Sequence, residues 1–113
     1  MPFINSKFTL KVDDAKRNSL KSEFGKAISN LGKPESYLMI NIEDGCDLYL
    51  GGKKLDKGAY VSVQVFGRLA APQTEKMTGA ICDILKNELD IPGDAVYVTY
   101  QGIENWGWNG GNF

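Results

Sequence analysis

Few side chains in this chain can move a proton near neutral pH. It contains no histidine, which removes Ser-His and Cys-His nucleophile pairs together with every histidine metal site. Its two cysteines, Cys46 and Cys82, stand far apart with no Cys-x-x-Cys spacing, so neither a zinc site nor a dithiol centre is expected. Cys82 falls in a helical pattern and reads as a small buried hydrophobe. Cys46 lies in the turn Asp44-Gly45-Cys46-Asp47. Acid–base chemistry must then use carboxylates, lysine, tyrosine or the chain terminus, and no cofactor is implied. The terminus stands out, because Pro2 follows Met1. A small second residue normally lets the methionine be removed, which would leave Pro2 as a secondary amine. An α-amino group titrates at roughly 7.7–8.0 when solvated, and desolvation lowers that value. A buried proline terminus would therefore be a general base near neutral pH. The plain alternative is an unstructured start to a strand.

Composition narrows the field around that candidate. The chain has 113 residues, 42% hydrophobic and 24% charged, which suits one globular domain with a real core. Its 13 basic and 14 acidic residues leave a net charge of -1, so a nucleic-acid footprint is not expected. No apolar run approaches the roughly 18 residues of a membrane span. Charge and polarity begin by Asn5 and Lys7, so a signal peptide is not expected either. The cysteine usage suggests a reducing, cytoplasmic setting.

The elements that must carry any site repeat once along the chain. Leu31-Gly32-Lys33-Pro34 leads into Tyr37-Leu38-Met39-Ile40, and Leu89-Asp90-Ile91-Pro92 leads into Ala95-Val96-Tyr97-Val98. The two prolines lie about half the chain apart, dividing a domain of residues 1–113 into units of about 1–58 and 59–113. Upstream of each is an amphipathic helix. Leu20, Phe24, Ala27, Ile28 and Leu31 share one face; Met77, Ala80, Ile81, Ile84, Leu85 and Leu89 share the other. Asp13 or Asp14 can cap the first helix and Thr74 the second, and each proline marks a stop. Strands are expected before the helices, from Phe3 to Leu10 and from Tyr60 to Phe66. The order is β-α-β twice, so the paired strands run parallel. The fold class is α+β, a four-stranded mixed sheet with two helices on one face. The uncovered face is expected to carry Ile40, Ile42, Val61, Val63, Tyr97 and Val98, and to drive oligomerisation. Leu48-Tyr49-Leu50 and Trp106-Gly107-Trp108-Asn109 look too short to serve as strands within one subunit. They could extend a neighbour's sheet edge.

These features together resemble the macrophage migration inhibitory factor family of the tautomerase superfamily. The likeness runs end to end: Met1-Pro2, Leu31-Gly32-Lys33-Pro34, Gly51-Gly52, Phe66-Gly67, Ile91-Pro92 with Val96-Tyr97-Val98, Gly107-Trp108-Asn109-Gly110 and a terminal Phe113. The resemblance implies a homotrimer whose sheets surround a central channel, with sites at the subunit interfaces around a processed Pro2. It implies keto–enol tautomerisation of an aromatic α-keto acid such as phenylpyruvate, and extends to dopachrome-type substrates. Pro2 would be the base, and Lys33 would attract the carboxylate. The backbone N–H near Phe66 would meet a substrate oxygen, and Tyr97 would arrive from the adjacent subunit. Tyr37, Trp106, Trp108 and Phe113 match the family's aromatic or apolar rim. Without the family, Lys33 would be a solvated turn lysine and Tyr97 a core strand residue.

The departures limit what carries over. Animal relatives have a Cys-x-x-Cys where this chain has Gly58-Ala59-Tyr60-Val61, so thiol–disulfide activity is not expected. Thr99 stands where some members place a substrate-contacting asparagine, and its hydroxyl reaches less far. Phe66 and Trp106 replace smaller residues, which points to a narrower site. The basic loop Lys53-Lys54-Leu55-Asp56-Lys57 adds positive charge at the surface. The resemblance also carries a second reading, a ligand exported without a signal peptide that binds a cell-surface receptor.

Overall fold

A computed structural model describes residues 1–113. Strand β1 runs from Pro2–Phe8, helix α1 from Asp14–Ala27 and strand β2 from Met39–Glu43. Two short strands follow, β3 Tyr49–Leu50 and β4 Lys53–Lys54. The second half holds β5 Ala59–Phe66, α2 Ala71–Leu89 and β6 Val96–Ile103, then β7 Gly107–Trp108 and β8 Gly111–Asn112. The four long strands form one sheet in the order β2-β1-β5-β6. β1 pairs parallel with β2 and β5 parallel with β6, while the two units meet antiparallel through β1 and β5. This is the expected doubled β-α-β unit.

The repeat extends to details of the helix ends. Asp13 caps α1 by accepting the Lys16 amide at 2.8 Å. A 3-10 turn, Ile28–Leu31, prolongs α1, and Gly32 then stops it in the left-handed conformation. Asp90 ends α2 in the same conformation, with φ 55. An aspartate tolerates that region better than most residues. Here its carboxylate also takes Lys86 at 2.8 Å and Lys57 at 3.2 Å. Thr74 does not cap α2. The helix begins three residues earlier, with Pro72 in its first turn where a missing N–H costs nothing, and Thr74 donates to the Ala71 carbonyl.

Both predicted apolar helix faces lie in one core with the sheet. Leu20, Phe24, Ile28, Met77, Ile81 and Leu85 are fully enclosed against Ile4, Phe8, Val61, Val63 and Val65. The strand alternation decides which side chains take part. Every second residue of β1 and β5 is buried, from Pro2 to Phe8 and from Ala59 to Val65. Val61 and Val63 therefore face the helices, contrary to the sequence expectation, and Ile40, Ile42 and Val98 also pack against that core. The uncovered face is instead mixed, with a network of polar side chains across its middle. Asn41 donates to Asn5 and Glu43, Tyr60 shares a hydrogen bond with Thr99, and Gln64 donates to Gln101. Only Tyr97, of the six residues expected there, lies on that face beside Thr99 and Gln101.

The two short segments do form strands within the subunit. Tyr49–Leu50 folds back on Lys53–Lys54, and Gly107–Trp108 on Gly111–Asn112. Their turns supply the reason, since Gly51, Gly52, Asn109 and Gly110 all adopt positive φ.

Candidate active site

Pro2 opens β1 next to Val65 of β5 and is buried. Having no N–H, it costs the ladder nothing at the first strand position. Met1 continues the line, and its carbonyl accepts the Phe66 amide at 2.8 Å. Lys33 reaches the same residue from the turn that follows α1. Gly32 turns the chain at φ 70, Pro34 follows, and the Lys33 ammonium donates to the Phe66 carbonyl at 3.1 Å. One residue, Phe66, thus presents its amide to the head of β1 and its carbonyl to the lysine.

The electrostatics at this point disfavour a second cation. Burial, and then the nearby Lys33 charge, lower the α-amino pKa of Met1 below its ordinary value. A terminal amine on Pro2 would lie one residue further in. While Met1 is attached, however, the Pro2 nitrogen is a tertiary amide with its lone pair in the peptide bond. Removing Met1 would free the Phe66 N–H beside the new amine. The Met1 carbonyl oxygen lies about 2.2 Å from the nitrogen it is linked to through carbon. An oxygen of a bound molecule could take the same donor while its neighbouring carbon meets the amine.

A cleft of ≈ 570 Å³ opens here, lined by Met1, Pro2, Phe3, Ser36, Tyr37, Leu38, Met39, Gln64, Trp106, Gly107 and Trp108. Trp106 forms wall, and the predicted rim aromatics make a connected series. Tyr37 meets Trp108 edge-on with centroids 6.0 Å apart, Trp108 stacks on Phe113 at 6.1 Å, and Phe113 tilts against Phe66 at 5.6 Å. Tyr37, Trp108 and Phe113 are each just over half exposed, so ring faces remain open to a ligand.

The structure brings together Pro2, Lys33, Phe66, Tyr37, Trp106, Trp108 and Phe113. It does not bring Tyr97 or Thr99 to them within this chain. Tyr97 pairs in register with Tyr60, which pairs with Lys7, five residues along β1 from Pro2. That is about 16 Å along the strand direction. Tyr97 is 62% exposed and borders an apolar hollow of ≈ 100 Å³ with Leu48, Leu50 and Leu55. Sequence reasoning missed Phe3, Ser36, Leu38, Met39 and Gln64 in the cleft. Gln64 was signalled by the alternation of β5, which puts it on the face opposite Val63 and Val65. Ser36 and Leu38 simply flank Tyr37, and Met39 follows them as the first residue of β2.

Comparison with known proteins gives one consistent result. The family model for macrophage migration inhibitory factor (MIF) matches residues 1–113. The chain is 32% identical over 112 residues to the Xenopus laevis macrophage migration inhibitory factor, covering 94% of this chain and 96% of that protein. Its fold is similar to the crystal structure of Leishmania major MIF2, with TM-score 0.93 and 33% identity over 100% of this chain and 97% of that one. The homologue from Prochlorococcus marinus superimposes with TM-score 0.88 at 27% identity, covering 98% of each chain.

Proposed function

The chain belongs to the macrophage migration inhibitory factor family, and we propose that it is a keto–enol tautomerase for aromatic α-keto acids, tested with phenylpyruvate. The observation that carries this reading is the meeting of the head of β1, the Phe66 amide and Lys33 beside an aromatic cleft.

In this mechanism Met1 is removed and the neutral Pro2 amine takes a proton from the carbon next to the substrate carbonyl. The electron pair moves onto the carbonyl oxygen, and the prolinium then gives the proton to that oxygen, producing the enol. A base near ambient pH suits the cycle because it must accept and release the same proton. The Phe66 N–H faces the oxygen on which charge develops. A preorganised donor of that kind is worth about 10²–10³ in rate. Lys33 offsets the substrate carboxylate, and Tyr37, Trp106 and Trp108 offer faces to the ring.

The site extends across a subunit boundary in this reading. Tyr97 and Thr99 lie far from Pro2 in their own chain but are exposed on the sheet face, so a second copy would supply them. The assembly in this proposal is a homotrimer, with the apolar hollow beside Tyr97, lined by Leu48, Leu50 and Leu55, as the surface a second copy would cover.

Pro2→Gly is the direct test. It keeps a free terminal amine but loses the secondary amine and the ring that holds it. Turnover of phenylpyruvate is expected to fall by about tenfold or more. A variant with the parental rate would sink the mechanism.

A further inference from the structure

The loop after β5 is pressed against the end of β6 at one place. Phe66 lies in register with Ile103, and Val65 with Gly102. Beyond that pair the Gly67 amide donates to the Ile103 carbonyl at 2.9 Å. Gly67 has φ 98, a conformation that L side chains rarely adopt. The chain turns there so that the Gly67 carbonyl comes down onto Gly102. A methyl group on Gly102 would run into that carbonyl oxygen, with the carbonyl carbon at 3.5 Å and the Arg68 Cα at 3.7 Å. Those obstacles are backbone atoms, so no side-chain rotation could relieve them. By contrast, Gly79 on α2 has nothing within 4 Å of the same added group.

The peptide units held this way adjoin the proposed chemistry. Phe66 supplies the amide that bonds Met1 and the carbonyl that holds Lys33. We infer that Gly102 is a positioning residue for the tautomerase site: lacking a side chain, it lets Gly67 seat against β6 and so fixes where the Phe66 amide and carbonyl point. Gly102 touches no substrate. Its backbone acts through two links, the seated Gly67 and then Phe66. An alanine here would lift Gly67 off the strand end and swing the Phe66 peptide. Errors of about 1 Å in a positioned group can cost about 10² in rate.

The inference rests on the tautomerase reading, and the experiment keeps the two separable. Gly102→Ala and the control Gly79→Ala are made in the full chain with Met1 removed. Competent sites are counted by alkylation of the Pro2 amine with bromopyruvate, and phenylpyruvate kinetics are expressed per counted site. For Gly102→Ala, kcat per site is expected to fall about tenfold or more, while Gly79→Ala stays at the parental value. A purely structural role would reduce the number of competent sites and leave kcat per site unchanged, and that result overturns the inference. If the parental protein turns over no phenylpyruvate, the functional reading has failed. The ¹⁵N–¹H resonance of the Phe66 amide then decides: movement in Gly102→Ala supports the inference, and an unmoved resonance overturns it. If Gly102→Ala does not fold, exchange of the Gly67 amide in the parental protein takes its place. Slow exchange relative to the Gly110 amide supports the seated loop; equal exchange overturns it.

Discussion

The Phe66 amide nitrogen lies 2.8 Å from the Met1 carbonyl oxygen. This bond occupies a backbone donor that β5 presents to the head of β1. While Met1 is attached, the Pro2 nitrogen is likewise tied up, in the Met1–Pro2 peptide bond. Loss of Met1 changes both at once, releasing a donor and creating a base.

A chain made to keep its N-terminal extension is therefore expected to be inactive. Inserting one alanine between Met1 and Pro2, with the intact mass checked, should lower phenylpyruvate turnover by about 10²–10⁴. Circular dichroism should stay unchanged, because Pro2 remains at the start of β1.

Lys33→Met should move the pH profile in a defined direction. Burial and then the Lys33 charge lower the α-amino pKa of Met1, and a terminal amine on Pro2, one residue further in, is expected to feel the same charge. Removing the charge makes a prolinium easier to form and raises its pKa. The acid limb of kcat/KM should thus shift to higher pH, because the neutral amine is the active form. KM for phenylpyruvate should also rise, by about tenfold for one lost charge-assisted contact. An unshifted limb would mean that Lys33 does not sense the base.

Mixing two inactive variants should restore activity if sites are shared between subunits. Pro2→Gly and Tyr97→Ala chains, unfolded together and refolded, form some interfaces with an intact Pro2 from one copy and an intact Tyr97 from the other. Turnover above that of either variant alone is expected. No recovery in mixed oligomers verified by native mass spectrometry would place Tyr97 outside the site.

Acid stability should depend on Asp44. Its carboxylate accepts the Val12 amide at 2.9 Å and pairs with Arg17 at 3.2 Å, closing the β1–α1 connection onto the end of β2. The Val12 hydrogen bond chiefly, then the Arg17 and Lys11 charges, hold its pKa below the usual value. A depressed carboxyl stabilises the fold above its unfolded pKa, about 3.9. That contribution is lost as pH falls through the lower folded value. Urea midpoints should separate the parent from Asp44→Asn at pH 7 and converge below about pH 4. A constant gap between the two would show that ionisation at Asp44 is irrelevant.

Much of this architecture was readable because its causes are local. Spacings of three and four residues put Leu20, Phe24, Ile28 and Leu31 on one helix face whatever lies opposite. Left-handed Gly32 and Asp90, each two residues before a proline, stop both helices by backbone chemistry alone. Thr74 misled because Pro72, an equally local signal, starts α2 earlier. The sheet face was misread for a different reason. Alternation sorts Val61 and Val63 together but does not say which side the helices take.

The amino-acid order alone settled the doubled β-α-β plan, the absence of histidine chemistry and the candidacy of Pro2. Each follows from residue type or short-range periodicity. Tertiary structure decided that Val61 and Val63 face the helices and leave a polar network on the open sheet face, and that Tyr97 and Thr99 stand away from Pro2. It also decided that Lys33 and Phe66, 33 residues apart, are joined at 3.1 Å. Such facts depend on strand register and on which layer covers which face. Those are set by the packing of the whole core, so no single stretch of sequence contains them.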